Sequence, residues 1–211
     1  MFLIISALIF LFLFRVLYII PHFNDHFQAT SSKKKKILVV LGSAPFEYIG
    51  GHTTEIIMII KELKLQGNIS YVFVYGNDDL FSKNHALKLD VSNHKKFIEI
   101  PRARKVGQSF LTSVFTTLVA FYHSFFIIVS EKPDIILCNG PAICVPIVIA
   151  SYIPRILGIK WIFVLYIESF ARVKSLSLSG KILYPLADNF IVQWEYLGLK
   201  YARAKLKKYI I

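Results

Sequence analysis

Glycines, a histidine and two threonines crowd one short stretch, Gly42 to Glu55 (GSAPFEYIGGHTTE), between an apolar run, Ile37 to Leu41, and a helical pattern. Such a junction is where α/β proteins bind phosphate. Glycines such as Gly50 and Gly51 let the backbone approach a ligand closely, and the amides that open the following helix attract anions. His52, Thr53 and Thr54 add side-chain donors at the same mouth, and Glu55 sits where a first-turn carboxylate favours the helix dipole. The plainer reading is an ordinary strand-to-helix turn capped by Thr53 or Thr54. No GxGxxG follows the first strand, so a dinucleotide fingerprint is lacking.

Two further polar pairs follow apolar runs. Asn139-Gly140-Pro141 comes after Ile135 to Cys138, with the proline suited to a first helical position. Glu168-Ser169 comes after Trp161 to Tyr166. Read separately, Asn139 and Ser169 are helix caps; read with Gly42, Gly51 and His52, they line one rim. His52 and Glu168 are the two candidates for a general base, and the sequence does not choose between them. Cys138 and Cys144 are too few for a disulfide framework and suit a reducing compartment. Without a CxxC or a clustered Cys/His set, a structural zinc is not expected; no other metal or cofactor is called for.

The elements that must position these residues alternate along the chain. Ile37–Leu41, Tyr71–Tyr75, Lys96–Ile100, Ile135–Cys138, Trp161–Tyr166 and Phe190–Gln193 read as strands. Thr53–Gln66, Ser109–Ser130 and Ala142–Leu157 read as helices, with shorter ones near Ser179–Leu186 and Tyr196–Lys205. Continuously apolar strands separated by helices predict a Rossmann-like parallel sheet with helices on both faces, whose ligands collect at the carboxyl ends of the strands.

Membrane contact is the first implication of composition, with 55% hydrophobic residues and a mean hydropathy of +0.55. Met1 to Ile20 is apolar apart from Ser6, Arg15 and the Tyr18 hydroxyl, long enough to span a bilayer, with Arg15 placed to snorkel to the head groups. The competing signal peptide lacks a basic start and a small-residue cleavage site. Residues 21–36 form a basic linker ending in Lys33 to Lys36, which by the positive-inside rule puts the remainder, residues 37–211, in the cytosol. Of the formal charge of +12, +8 belongs to residues 37–211. A basic domain tethered to a bilayer suits anionic head groups or a phosphorylated lipid better than nucleic acid, for which no module is recognisable. Arg102, Arg104 and Lys105 precede a helix that is uncharged until Glu131 and rich in phenylalanine. This reads as a membrane-facing surface with head-group contacts, in preference to a second span.

Taken together these pieces resemble the asparagine-linked glycosylation protein fourteen family, the membrane-anchor subunit of a UDP-N-acetylglucosamine transferase. The matching residues are Gly42-Ser43 with Gly50 to Glu55, Pro101-Arg102 through Gln108-Ser109, and Lys132-Pro133-Asp134. The likeness continues through Leu137 to Ile147, Tyr166 to Ser169 with Arg172, Leu176 to Tyr184 and Phe190 to Trp194.

The resemblance implies the acceptor-binding half of a split GT-B glycosyltransferase, anchored at the cytosolic face of the endoplasmic reticulum as a single-pass protein. A separate catalytic subunit would bind UDP-N-acetylglucosamine, and the pair would add the second sugar to N-acetylglucosaminyl-diphosphodolichol. In that cleft Gly50, Gly51, Thr53, Asn139, Gly140 and Ser169 are expected at the acceptor's diphosphate. Tyr209, Ile210 and Ile211 are expected to pack on the partner. The family pattern runs from Gly-Ser straight into Gly-Gly-His, whereas here Ala44 to Ile49 intervene.

Overall fold

A computed structural model describes residues 2–21, 34–42, 51–63, 68–91, 94–104 and 107–207. Helix α1 (Phe2–Ile19) precedes the sheet-forming part. There follow β1 (Lys34–Val40), α2 (His52–Leu63), β2 (Asn68–Gly76), α3 (Leu80–Leu87), β3 (Lys95–Ile100) and α4 (Phe110–Glu131). The second half contains β4 (Ile135–Cys138), α5 (Cys144–Ile156), β5 (Phe163–Ile167), α6 (Leu178–Leu183), β6 (Asn189–Val192), α7 (Glu195–Lys200) and β7 (Ala204–Leu206).

The strands form one parallel sheet in the order β3-β2-β1-β4-β5-β6-β7. Strand order therefore reverses between β1 and β4. Chains leave that pair of strands toward opposite edges, so a crevice opens beyond their carboxyl ends. Side chains alternate between two helical layers. Ile37, Val39 and Leu41 of the β1 run join Ile56, Ile59 and Ile60 of α2 on one face, while Leu38 and Val40 join Ile128, Ile147 and Val148 of α4 and α5 on the other.

β1 starts at Lys34, three residues before the apolar run and inside the stretch read as linker. Pairing with neighbours carries the strand through its lysines. The Lys36 amide donates to Asp134 Oδ2 at 2.8 Å, and its ammonium lies 3.3 Å from buried Glu131. Lys96 reaches the same carboxylate at 2.5 Å. Burial alone would raise the Glu131 pKa, but the two lysines outweigh it and hold the carboxyl below its ordinary value.

α4 is capped by Ser109, whose hydroxyl accepts from Thr112 N, and ends at Lys132 in the left-handed region. One face is in the core through Ala120, Ser124, Ile127 and Ile128. The other is an open apolar stripe of Leu111, Phe115, Leu118, Tyr122, Phe126 and Val129, with Leu111 84% and Phe115 73% exposed. Residues 111–131 are also long and apolar enough to cross a membrane. The opposite face packs against the α/β domain through Ile127 and Ile128.

α1 is exposed on all sides from Ile9 to Phe14. Its last turn belongs to the domain: Ile19 is buried, and Arg15 donates to the carbonyl oxygens of Arg155 and Ile156 at the end of α5. Arg15 thus binds the carbonyl end of a helix, where a cation is favoured.

Candidate active site

Beyond the carboxyl ends of β1, β4 and β5 lies a cleft of about 630 Å³. Gly51, His52 and Glu55 line it from the start of α2, and Gly140 and Pro141 from the turn after β4. Ser169 and Arg172 come from the loop after β5, Ser177 and Ser179 from the start of α6, and Arg104 from the segment after β3. The β1 and β4 turns and Ser169 thus meet as expected. The two arginines are an addition: Arg104 was expected at head groups, and Arg172 carried no assigned role. Arg172 was signalled by its place three residues beyond Ser169 and by its part in the family likeness.

His52 is the most constrained side chain there. Asn139, fully buried at the end of β4, faces His52 Nδ1 with its Oδ1 at 3.1 Å, while its Nδ2 donates to Ile167 O at 3.3 Å. The glycines make the space. A Cβ on Gly42 would lie 2.7 Å from His52 Cβ, and one on Gly140, whose φ is +80°, would lie 2.4 Å from His52 Cε1. A side chain at Gly140 would displace the ring, and one at Gly42 would displace His52 Cβ and Pro141.

Three candidates are engaged elsewhere. Glu168 is 1% exposed and lies under the cleft, accepting from Ser177 N at 3.0 Å, Ser177 Oγ at 3.1 Å and Ser169 N at 3.2 Å. Burial raises its pKa, against the opposing pull of these donors and of Arg172. The carboxylate pins the 169–177 loop, and the rim position expected of it is filled by Glu55. The Thr53 hydroxyl is buried beneath α2, bonded to Gly42 O and lying 2.7 Å from Ser82 Oγ. Asn139 spends both ends of its amide on His52 and Ile167, so its side chain is not a phosphate ligand.

Ser169 does line the cleft, where its hydroxyl donates to Glu55 Oε1 at 2.7 Å. Gly51, at φ +90°, leads into α2 and leaves the helix's first amides at the mouth. Of the basic trio, Arg102 pairs with Asp78, Arg104 donates to Gln108 O at 2.9 Å beside the cleft, and Lys105 lies outside the described residues. Gly50, the intervening Ala44 to Ile49 and the Tyr209-Ile210-Ile211 tail also lie outside them. Among the described residues no cluster of His, Cys, Asp or Glu fits a metal ion.

Sheet order and cleft position define a Rossmann-like unit of the GT-B type. MurG of Acinetobacter baumannii superposes with a TM-score of 0.55 at 17% identity, over 77% of this chain and 42% of that one. A UDP-N-acetylglucosamine 2-epimerase gives 0.57 at 16% identity, over 82% and 48%. The chain thus spans less than half of each of these structures, and the likeness is one of fold.

Residues 37–210 match the family described as oligosaccharide biosynthesis protein Alg14 like, and the chain belongs to that family. Relatives named UDP-N-acetylglucosamine transferase subunit ALG14 include those of Yarrowia lipolytica, 39% identical over 95% of this chain and 93% of the relative, and Homo sapiens, 40% identical over 84% and 83%. The Schizosaccharomyces pombe relative is 45% identical over 83% and 85%.

Proposed function

We propose that this chain is the membrane-anchoring, acceptor-binding subunit of a UDP-N-acetylglucosamine transferase on the cytosolic face of the endoplasmic reticulum. It recruits a separate subunit that binds UDP-N-acetylglucosamine. The pair adds the second N-acetylglucosamine to N-acetylglucosaminyl-diphosphodolichol. The observation that carries this reading is the cleft that joins Arg104, Arg172, the start of α2 and an imidazole in one space.

A diphosphate suits that arrangement, with guanidinium groups on one side and helix-terminal amides on the other. Gly51 and Gly140 contribute backbone, and Thr53 acts through its amide because its hydroxyl is engaged below. His52 accepts the proton of the attacking acceptor hydroxyl as that oxygen bonds to the donor's anomeric carbon. The bond to UDP breaks with its electron pair leaving on the nucleotide, which the partner holds. Alone, the chain therefore has little or no activity.

The membrane side of the reading uses α1 as anchor and the apolar stripe of α4 as a surface resting in the same bilayer, parallel to its plane. This keeps the cleft near the interface where a diphospholipid presents its head group.

The test is transfer by the co-expressed complex, using a short-chain isoprenoid diphospho-N-acetylglucosamine as acceptor. His52→Ala is expected to lower kcat by roughly 10²- to 10⁴-fold, the range for a lost general base. Arg104→Ala and Arg172→Ala should raise the acceptor KM and leave that of UDP-N-acetylglucosamine unchanged. Normal transfer in all three variants would reduce the chain to a membrane adaptor.

A further inference from the structure

We infer that Asn139 is a positioning residue that fixes the tautomer of His52, so that Nε2 carries the lone pair offered to the substrate. The inference rests on the reading of His52 as general base. The logic is one of donors and acceptors. An amide has one oxygen that only accepts and one nitrogen that only donates. Asn139 Nδ2 is committed to Ile167 O at 3.3 Å, so it is Oδ1 that faces His52 Nδ1 at 3.1 Å. The imidazole nitrogen opposite an acceptor must carry the hydrogen. In the neutral ring the other nitrogen, Nε2, is then unprotonated.

Two features make this arrangement stable. Asn139 is fully buried, so no water competes for its oxygen. Gly140 leaves the ring the space that a Cβ would take, and Gly42 does the same for His52 Cβ, so the imidazole can lie directly against the turn that carries Asn139. Asparagine in place of aspartate has a further consequence: it orients the ring without adding a negative charge that would favour the imidazolium. The charged groups lining the same cleft are Glu55 from α2, Arg104 from the segment after β3 and Arg172 from the loop after β5.

The experiment compares Asn139→Asp, Asn139→Ala, His52→Ala and the double variant Asn139→Ala/His52→Ala in the co-expressed complex, with pH–rate profiles for the short-chain acceptor. Asn139→Asp is expected to move the acid limb of kcat/KM upward by about one pH unit or more, because a carboxylate beside Nδ1 stabilises the protonated ring. Asn139→Ala should lower kcat by roughly 10²-fold with the acceptor KM little changed, since a misplaced tautomer disables the base and spares binding. In the His52→Ala background the same Asn139→Ala change should cost nothing further. Loss of activity by Asn139→Ala to the same factor with and without His52, together with an unmoved acid limb in Asn139→Asp, would overturn the inference and make Asn139 merely structural. Full activity in His52→Ala would instead remove the base reading itself, and the inference with it.

Discussion

At the scale of single residues, types and spacing identify the site more reliably than the roles within it. His52 and Glu168 look equivalent in the sequence, each polar and each on a connection that follows a strand. Burial separates them: the imidazole borders the cleft, while Glu168 lies under it and holds Ser177 and Ser169. Glu168→Ala should therefore cost about 1–3 kcal/mol of stability by leaving the buried donors of the 169–177 loop unpaired, read as a lower Tm of the complex in detergent. Its raised pKa fixes the sign of a second outcome. Because the folded state holds the proton more tightly than the unfolded chain, the stability linked to it is fully present below the ordinary carboxyl value and is lost as pH rises through the raised one. Relative to wild type, Glu168→Gln should become more stable as pH rises through that window, and a stability difference independent of pH would contradict the assignment. Thr53 and Asn139 were equally ambiguous for a physical reason. Whether a hydroxyl or amide near a strand end faces ligand or core depends on what packs behind it, here Ser82 and Ile167, residues far away in sequence.

At the scale of elements, continuous apolar runs announce six strands and their parallel arrangement, because buried parallel strands need hydrophobic side chains on both faces. Two described elements escape that signal. α3 has eight residues and is held by its Asp79 cap, which accepts from Ser82 N at 3.1 Å. β7, read from sequence as the end of a helix, is three residues whose conformation comes from pairing with β6. In β7 tertiary contact overrides a weak local preference, whereas α3 is too short for its local cap to stand out in the sequence. The two long apolar helices are legible by composition, but their coupling to the domain is not. Since Arg15 and Ile19 belong to the α5 contact, removing residues 2–14 is a cleaner deletion of the anchor than removing 1–20. That protein should leave the membrane fraction in large part on carbonate washing. Adding Phe115→Asp and Leu118→Asp on the α4 stripe should release the remainder and weaken binding to vesicles containing anionic lipid. Unchanged vesicle binding by the charged variant would separate α4 from the bilayer.

At the scale of the whole molecule, the proposed function divides the work among the cleft, α1 and the carboxyl-terminal edge of the sheet. The order of the sheet makes β7 its last strand, paired only with β6 among the described residues. The Lys207 amide still donates to Val192 O at 3.0 Å, so among the described residues the hydrogen-bonded sheet reaches that residue. Four residues follow, three of them apolar: Tyr209, Ile210 and Ile211. The described β6–β7 ladder ends at Leu206, ahead of these residues, so the truncated chain should remain folded and membrane-bound. If those side chains pack against the donor-binding subunit, each contributes roughly 1.5–3 kcal/mol of burial, and losing several weakens association by orders of magnitude. Pull-down from detergent should then recover little partner, and transfer should fall in proportion to recruitment while the few complexes that form turn over normally. A normal yield of partner with the truncated chain would move the interface to another face of the domain; a normal yield with slow turnover would assign the tail to the reaction instead of to assembly.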